Sequence, residues 1–116
     1  MTPQNCPFCE IIQHTKPAKI IFEDDDVLAI QDIHPIAPAH ILIIPKKHIS
    51  SLNDLQPEDE PLLGHMIRIG QLMAEQAGVH QTGYRLVINT GPHAGQSIFH
   101  VHLHMIGGRH LPFRFE

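Results

Sequence analysis

Apolar positions along the chain fall into short strand-like runs and one long helical stripe. Lys19–Glu23 and Val27–Ile33 read as two strands, with Asp24-Asp25-Asp26 between them as a tight polar hairpin turn. His34-Pro35-Ile36-Ala37-Pro38 breaks regular structure. His40–Pro45 is a third strand, apolar nearly throughout, which predicts a central position buried on both faces. Pro57-Glu58-Asp59-Glu60 predicts a helix start, because proline fits the first turn and acidic side chains there complement the helix dipole. Leu62, Leu63, Met66, Ile69, Met73 and Ala77 then recur at helical spacing, and Gly78 fits a C-terminal cap. Tyr84–Asn89 reads as a fourth strand and residues 98–106 as a fifth, joined by the glycine-bearing loop Thr90–Gln96. Residues 7–13 have the pattern of a short helical turn. Hairpin-length connections favour antiparallel pairing. The expected fold is therefore α+β: a five-stranded antiparallel sheet with one long and one short helix, in a single domain spanning 1–116.

The fifth strand carries the most informative pattern, His100-Val101-His102-Leu103-His104. Side chains alternate across a strand, so the three imidazoles are expected on one face, with Phe99, Val101, Leu103 and Met105 anchoring the other in the core. Imidazole serves nucleophilic, acid–base and metal chemistry near neutral pH. One metal ion cannot take all three, because strand residues i and i+4 lie roughly 13 Å apart. The loop before the strand supplies backbone N–H groups able to cradle a phosphate, and Ser97 stands at the junction as a hydroxyl donor.

Composition narrows the class further. Hydrophobic residues are 42%, charged residues 17%, and the net charge is −4 with histidines neutral. No basic block is present, which argues against a nucleic-acid partner. No apolar run approaches the ~20 residues that span a membrane. Met1–Asn5 lacks the basic and apolar regions of a secretory signal, and the two cysteines, Cys6 and Cys9, sit too close together to staple a fold, so a cytoplasmic setting is expected.

The segment Gly95-Gln96-Ser97-Ile98-Phe99-His100-Val101-His102-Leu103-His104-Met105-Ile106-Gly107-Gly108-Arg109 resembles the signature of the histidine triad (HIT) family, His-φ-His-φ-His-φ-φ with φ hydrophobic. Pro17–Asp25, Ile44–Ser50, Leu62–Met66 and Gly83-Tyr84-Arg85 leading to Asn89 are similar to its Hint branch, the purine nucleoside phosphoramidases. The resemblance implies cleavage of the P–N bond of a purine nucleoside 5′-phosphoramidate, with no metal needed for catalysis. It implies that His102 is the nucleophile forming a nucleotidyl–histidine, that His104 contacts the α-phosphate, and that His40 supports both in a hydrogen-bond relay. Ser97 and Asn89, with the backbone of Gly95 and Gln96, are implied at the phosphate and leaving-group side. Asp32, followed by Ile33, is implied at the ribose hydroxyls, with Ile20, Phe22 and Ile30 lining a purine pocket. A homodimer is implied too, with the tail His110–Glu116 near the partner's site, although this tail diverges from the branch pattern. A dinucleoside polyphosphate hydrolase of the related Fhit branch and a nucleotide-binding scaffold with vestigial activity remain as alternatives.

Cys6-Pro7-Phe8-Cys9 has metal-ligand spacing but needs two further ligands. Within the family resemblance these are His48 and His100, which implies a structural zinc. A metal-free thiol pair and a redox dithiol are the competing readings. The redox reading lacks a surrounding thioredoxin-like βαβ unit.

Overall fold

The computed structural model describes residues 5–112; the expectations for Met1–Gln4 and for the last residues of the tail, 113–116, lie outside them. The elements run α1 (Pro7–Ile12), β1 (Ile20–Glu23), β2 (Val27–Gln31), β3 (Ala39–Pro45), α2 (Glu60–Gln76), β4 (Tyr84–Val87) and β5 (Leu103–Gly107). All five strands join one antiparallel sheet in the order β1-β2-β3-β5-β4.

The central strand β3 is buried from end to end, because its two faces feed two cores. Ile41 and Ile43 point to one side, where they pack with Leu103, Met105 and the Met66, Ile69 and Met73 stripe of α2. Leu42 and Ile44 point to the other, where they pack with Leu28, Ile30 and the Phe8 and Ile11 face of α1. The helix approaches the sheet closely at Gly70, where an added Cβ would stand 3.1 Å from Leu86 Cδ2 and 3.3 Å from Leu103 Cδ2. α2 begins at Glu60 rather than Pro57; residues 57–59 form a 3-10 turn. Pro61 lacks the N–H that would close the α-helical bond onto Pro57.

Three expectations need correcting. First, the strand predicted over 98–106 is confined to Leu103–Gly107, so His100 and His102 precede it and only His104 lies within it. β5 pairs with β3 only as far as Ile43↔Leu103. Beyond that point the chain bonds elsewhere: Val101 N–H donates to Ile49 O at 2.7 Å, and the His100 ring bonds Pro45 O. Second, Phe99 is not a core anchor and is 49% exposed, since it lies in this bent segment. Third, Phe22 does not share the face of Ile30, whereas Ile20 stands directly opposite Ile30. A register shift between Ile20 and Phe22 sets Phe22 opposite Ala29, and a bulge of this kind turns Phe22 to the α2 side, where it packs beside Ile21.

Candidate functional site

The α1 face of the sheet carries a cavity of about 370 Å³. Its apolar wall is built from Phe8, Ile11, Ala18, Ile30, Leu42 and Ile98. Asp32, Ile33, Ser97, His102 and His104 stand at its polar side. Ile30 is thus the one residue of the expected purine-contacting trio in this wall. α1 supplies the apolar surface that sequence reasoning assigned to β1. Its amphipathic turn, with Phe8 and Ile11 three residues apart, was the available signal.

Topology brings the histidines together. β5 lies beside β3, with Leu42 opposite His104, so the side chain of His40 reaches His104 from two residues away. His40 Nδ1 accepts from the Ile36 N–H at 3.2 Å. Its proton is therefore on Nε2, which donates to His104 Nδ1 at 2.9 Å and faces Asp32 Oδ2 at 3.3 Å. His104 in turn must carry its proton on Nε2. His102 is set the other way: its Nδ1–H donates to His100 O at 2.7 Å, which leaves the lone pair on Nε2. The His102 and His104 rings lie 5.0 Å apart, and Phe8 stands 5.0 Å from His102, edge to face. Burial pushes His102 below its usual range. Burial, with the charges of His102 and His40 behind it, pushes His104 down to about 4. At neutral pH the site thus offers one nucleophilic nitrogen beside one N–H donor.

Asp32 ends β2, because its Oδ1 accepts from the His34 N–H at 2.8 Å in an Asx turn. Ser97 follows the loop that Gln96 holds shut. Gln96 Oε1 accepts from Gly91 N–H at 2.8 Å, while its Nε2 donates to Ser50 O at 2.7 Å and Ile98 O at 3.1 Å. Gly95 sits in the same loop at φ 86°, a left-handed conformation suited to glycine. The Gln96 side chain is thus committed to the loop, and Asn89, Gly95 and Gln96 lie outside the cavity lining.

On the far side of Phe8 the first histidine joins a separate cluster. His100 is fully buried, and its Nε2–H donates to Pro45 O at 2.8 Å, so its Nδ1 holds the lone pair. That nitrogen lies 3.4 Å from Cys6 Sγ, 3.6 Å from Cys9 Sγ and 3.1 Å from His48 Nδ1. Cys9 Sγ is 3.2 Å from His48 Nδ1. A tetrahedral zinc with ordinary bond lengths separates sulfur from nitrogen by about 3.6 Å and nitrogen from nitrogen by about 3.3 Å. The donor set fits that ion in both spacing and kind. Burial, then the hydrogen bond and charge of Cys6, pushes the Cys9 thiol up to about 12 in the absence of a cation. The carbonyl of Pro45 orients the His100 ring, as partners of metal-ligating histidines do.

A histidine with its Nε2 lone pair free beside a histidine N–H donor, on the sheet face of a half-apolar cavity, gives this α+β protein a site whose chemistry suits group transfer. The chain belongs to the HIT domain family, whose profile matches residues 13–111. It is 47% identical over 104 residues to the purine nucleoside phosphoramidase of Escherichia coli (strain K12), covering 90% of this chain and 87% of that one. Its fold superposes on a HIT family hydrolase from Legionella pneumophila with TM-score 0.92 and 45% identity, covering 94% and 97% of the two chains. A zinc-bound histidine triad family protein from Mycobacterium smegmatis matches with TM-score 0.80 and 38% identity, covering 90% of this chain and 76% of that one.

Proposed function

We propose that the protein hydrolyses purine nucleoside 5′-phosphoramidates through a nucleotidyl–His102 intermediate. The observation that carries this reading is the opposite tautomers of His102 and His104, set by His100 O and His40. His102 Nε2 is the nucleophile toward the α-phosphorus. His104 Nε2–H and Ser97 donate to the phosphoryl oxygens, where negative charge builds in the transition state. The purine lies against Phe8, Ile11 and Ile30, and Asp32 accepts from the ribose hydroxyls. Gly95 and Gln96 act by holding Ser97 in place, and Asn89 remains on the leaving-group side. The E. coli relative, named for phosphoramidase activity, supports the same substrate class. Adenosine 5′-phosphoramidate and diadenosine triphosphate, assayed side by side, test it. The phosphoramidate is turned over with the higher kcat/KM; preference for the triphosphate, or turnover of neither, refutes the reading.

Cys6, Cys9, His48 and His100 hold a structural zinc in the same reading, supported by their spacing and by the zinc-bound relative. When bound, such an ion closes its coordination shell with protein ligands and ties α1, the 48–51 segment and the histidine segment together. The ion thereby fixes His100, whose carbonyl sets the tautomer of His102. The chain is further proposed to pair as a homodimer through β4, an edge strand of the sheet.

A further inference from the structure

Ile36 is held from both sides. Its N–H donates to His40 Nδ1 at 3.2 Å, and its carbonyl accepts from Arg109 Nε–H at 2.8 Å. The Ile36 side chain is 56% exposed, so packing supplies little of the hold. We propose that Arg109 is a positioning residue for the histidine site: it clamps Ile36 so that the Ile36 N–H keeps the His40 proton on Nε2, toward His104. The catalytic half of the inference rests on the phosphoramidase reading above.

Register brings a residue from beyond the triad to this loop. Gly107 stands opposite Ala39 at the end of the β3–β5 ladder, so the chain after Gly107 runs beside the segment before Ala39. The approach is close at Gly108, where an added Cβ would stand 3.0 Å from Pro38 Cβ. Arg109 follows directly and reaches the segment that joins β2 to β3. The neck of that segment is tied by Asp32 N–H, which donates to His40 O at 3.0 Å. Its middle is short of donors, because Pro35 and Pro38 have no N–H and the His34 N–H is taken by Asp32 Oδ1. Ile36 N–H is the donor that reaches the His40 ring.

Two groups set the His40 tautomer. Ile36 N–H occupies the Nδ1 lone pair, and Asp32 Oδ2, 3.3 Å from Nε2, favours a proton there. In the proposed complex Asp32 accepts from the ribose hydroxyls, so its hold on His40 weakens and the Ile36 contact carries more of the task. If Ile36 moves away, a proton on Nδ1 becomes competitive. His40 then faces His104 Nδ1 with a lone pair instead of a donor, and His104 loses the contact that keeps its own proton on Nε2. Arginine suits the clamp, because its Nε–H is fixed in a planar fork whose Nη1–H donates at the same time to His110 O at 2.9 Å. Lysine offers a point charge without that fork.

NMR of the ¹⁵N-labelled protein reads the imidazole nitrogens directly, with His40 assigned from a His40→Asn spectrum. In the wild type Nδ1 gives the signal of an unprotonated nitrogen and Nε2 that of a protonated one. In Arg109→Ala the two signals move toward each other, the mark of exchange between tautomers. At the same time kcat on adenosine 5′-phosphoramidate falls by about tenfold, the worth of one charged hydrogen bond. Arg109→Lys, which keeps the charge without the fork, gives intermediate values of both. His40 signals unaltered in folded Arg109→Ala overturn the clamp, as does a kcat kept within about twofold of the wild type. Arg109→Lys takes that role if the alanine variant does not fold. A wild type that cleaves no phosphoramidate refutes the function, while the nitrogen signals still decide the clamp.

Discussion

His102 and His104 stand two residues apart and differ in which nitrogen holds the proton, a difference imposed by a backbone carbonyl on one and a neighbouring ring on the other. On the proposed mechanism, His102→Ala is expected to lower phosphoramidate turnover by at least about 10³-fold, with an unchanged melting temperature to within a few degrees. The neutral state of His104 has a consequence for stability. Its proton affinity is low in the folded chain, about 4, and ordinary, about 6.5, in the unfolded one. Between those values the unfolded chain binds more protons. The contribution is therefore complete above pH 6.5 and is lost as pH falls toward 4. The melting temperature of the wild type should drop across that window, and by less in His104→Asn; equal drops would show that His104 is not the group responsible. The alternating histidine pattern was legible in the sequence, but the tautomers were not. They depend on Ile36, Pro45 and His100 backbone groups that only the folded chain brings within reach.

At the scale of elements, the apolar run of β3 announced a strand buried on both faces, and the stripe on α2 announced its cover. The bulge in β1 was hidden, because Ile20, Ile21 and Phe22 are all apolar and alternation cannot show which two share a face. The shortened β5 was hidden for a similar reason: alternation continues through His100 and His102 although pairing with β3 has ended. Gly70 marks where α2 meets the sheet. Gly70→Val adds bulk against Leu86 and Leu103, and is expected to cost about 1–3 kcal/mol. Chemical denaturation measures that cost, and a neutral result would mean that the helix can shift away freely. α1 depends on its cysteines in addition to its packing. Cys9→Ser should remove zinc from the purified protein, read as loss of stoichiometric metal by elemental analysis, and lower the melting temperature. Metal retained in the variant would contradict the ligand assignment.

Across the whole molecule, the order β1-β2-β3-β5-β4 is what makes a site from distant residues. His40 and His104 are separated by 64 positions, and only the insertion of β5 between β3 and β4 joins them. The family resemblance anticipated that meeting; periodicity alone could not, since it fixes faces but not neighbours. The apolar wall supplied by α1 was missed because a six-residue helix carries too little pattern to reveal where it docks. The free edge of β4 belongs to this scale too. Light scattering is expected to give twice the 13.1 kDa chain mass, and a monomer at the concentrations of assay would refute sheet pairing across β4. The central claim is covalent catalysis by His102. Mixing the protein with excess adenosine 5′-phosphoramidate, quenching during the first turnover and mapping peptides by mass spectrometry tests it directly. The expected result is an adenylyl group on His102 that forms and decays as fast as product appears. An adduct on another residue, or full turnover by His102→Ala, would contradict it.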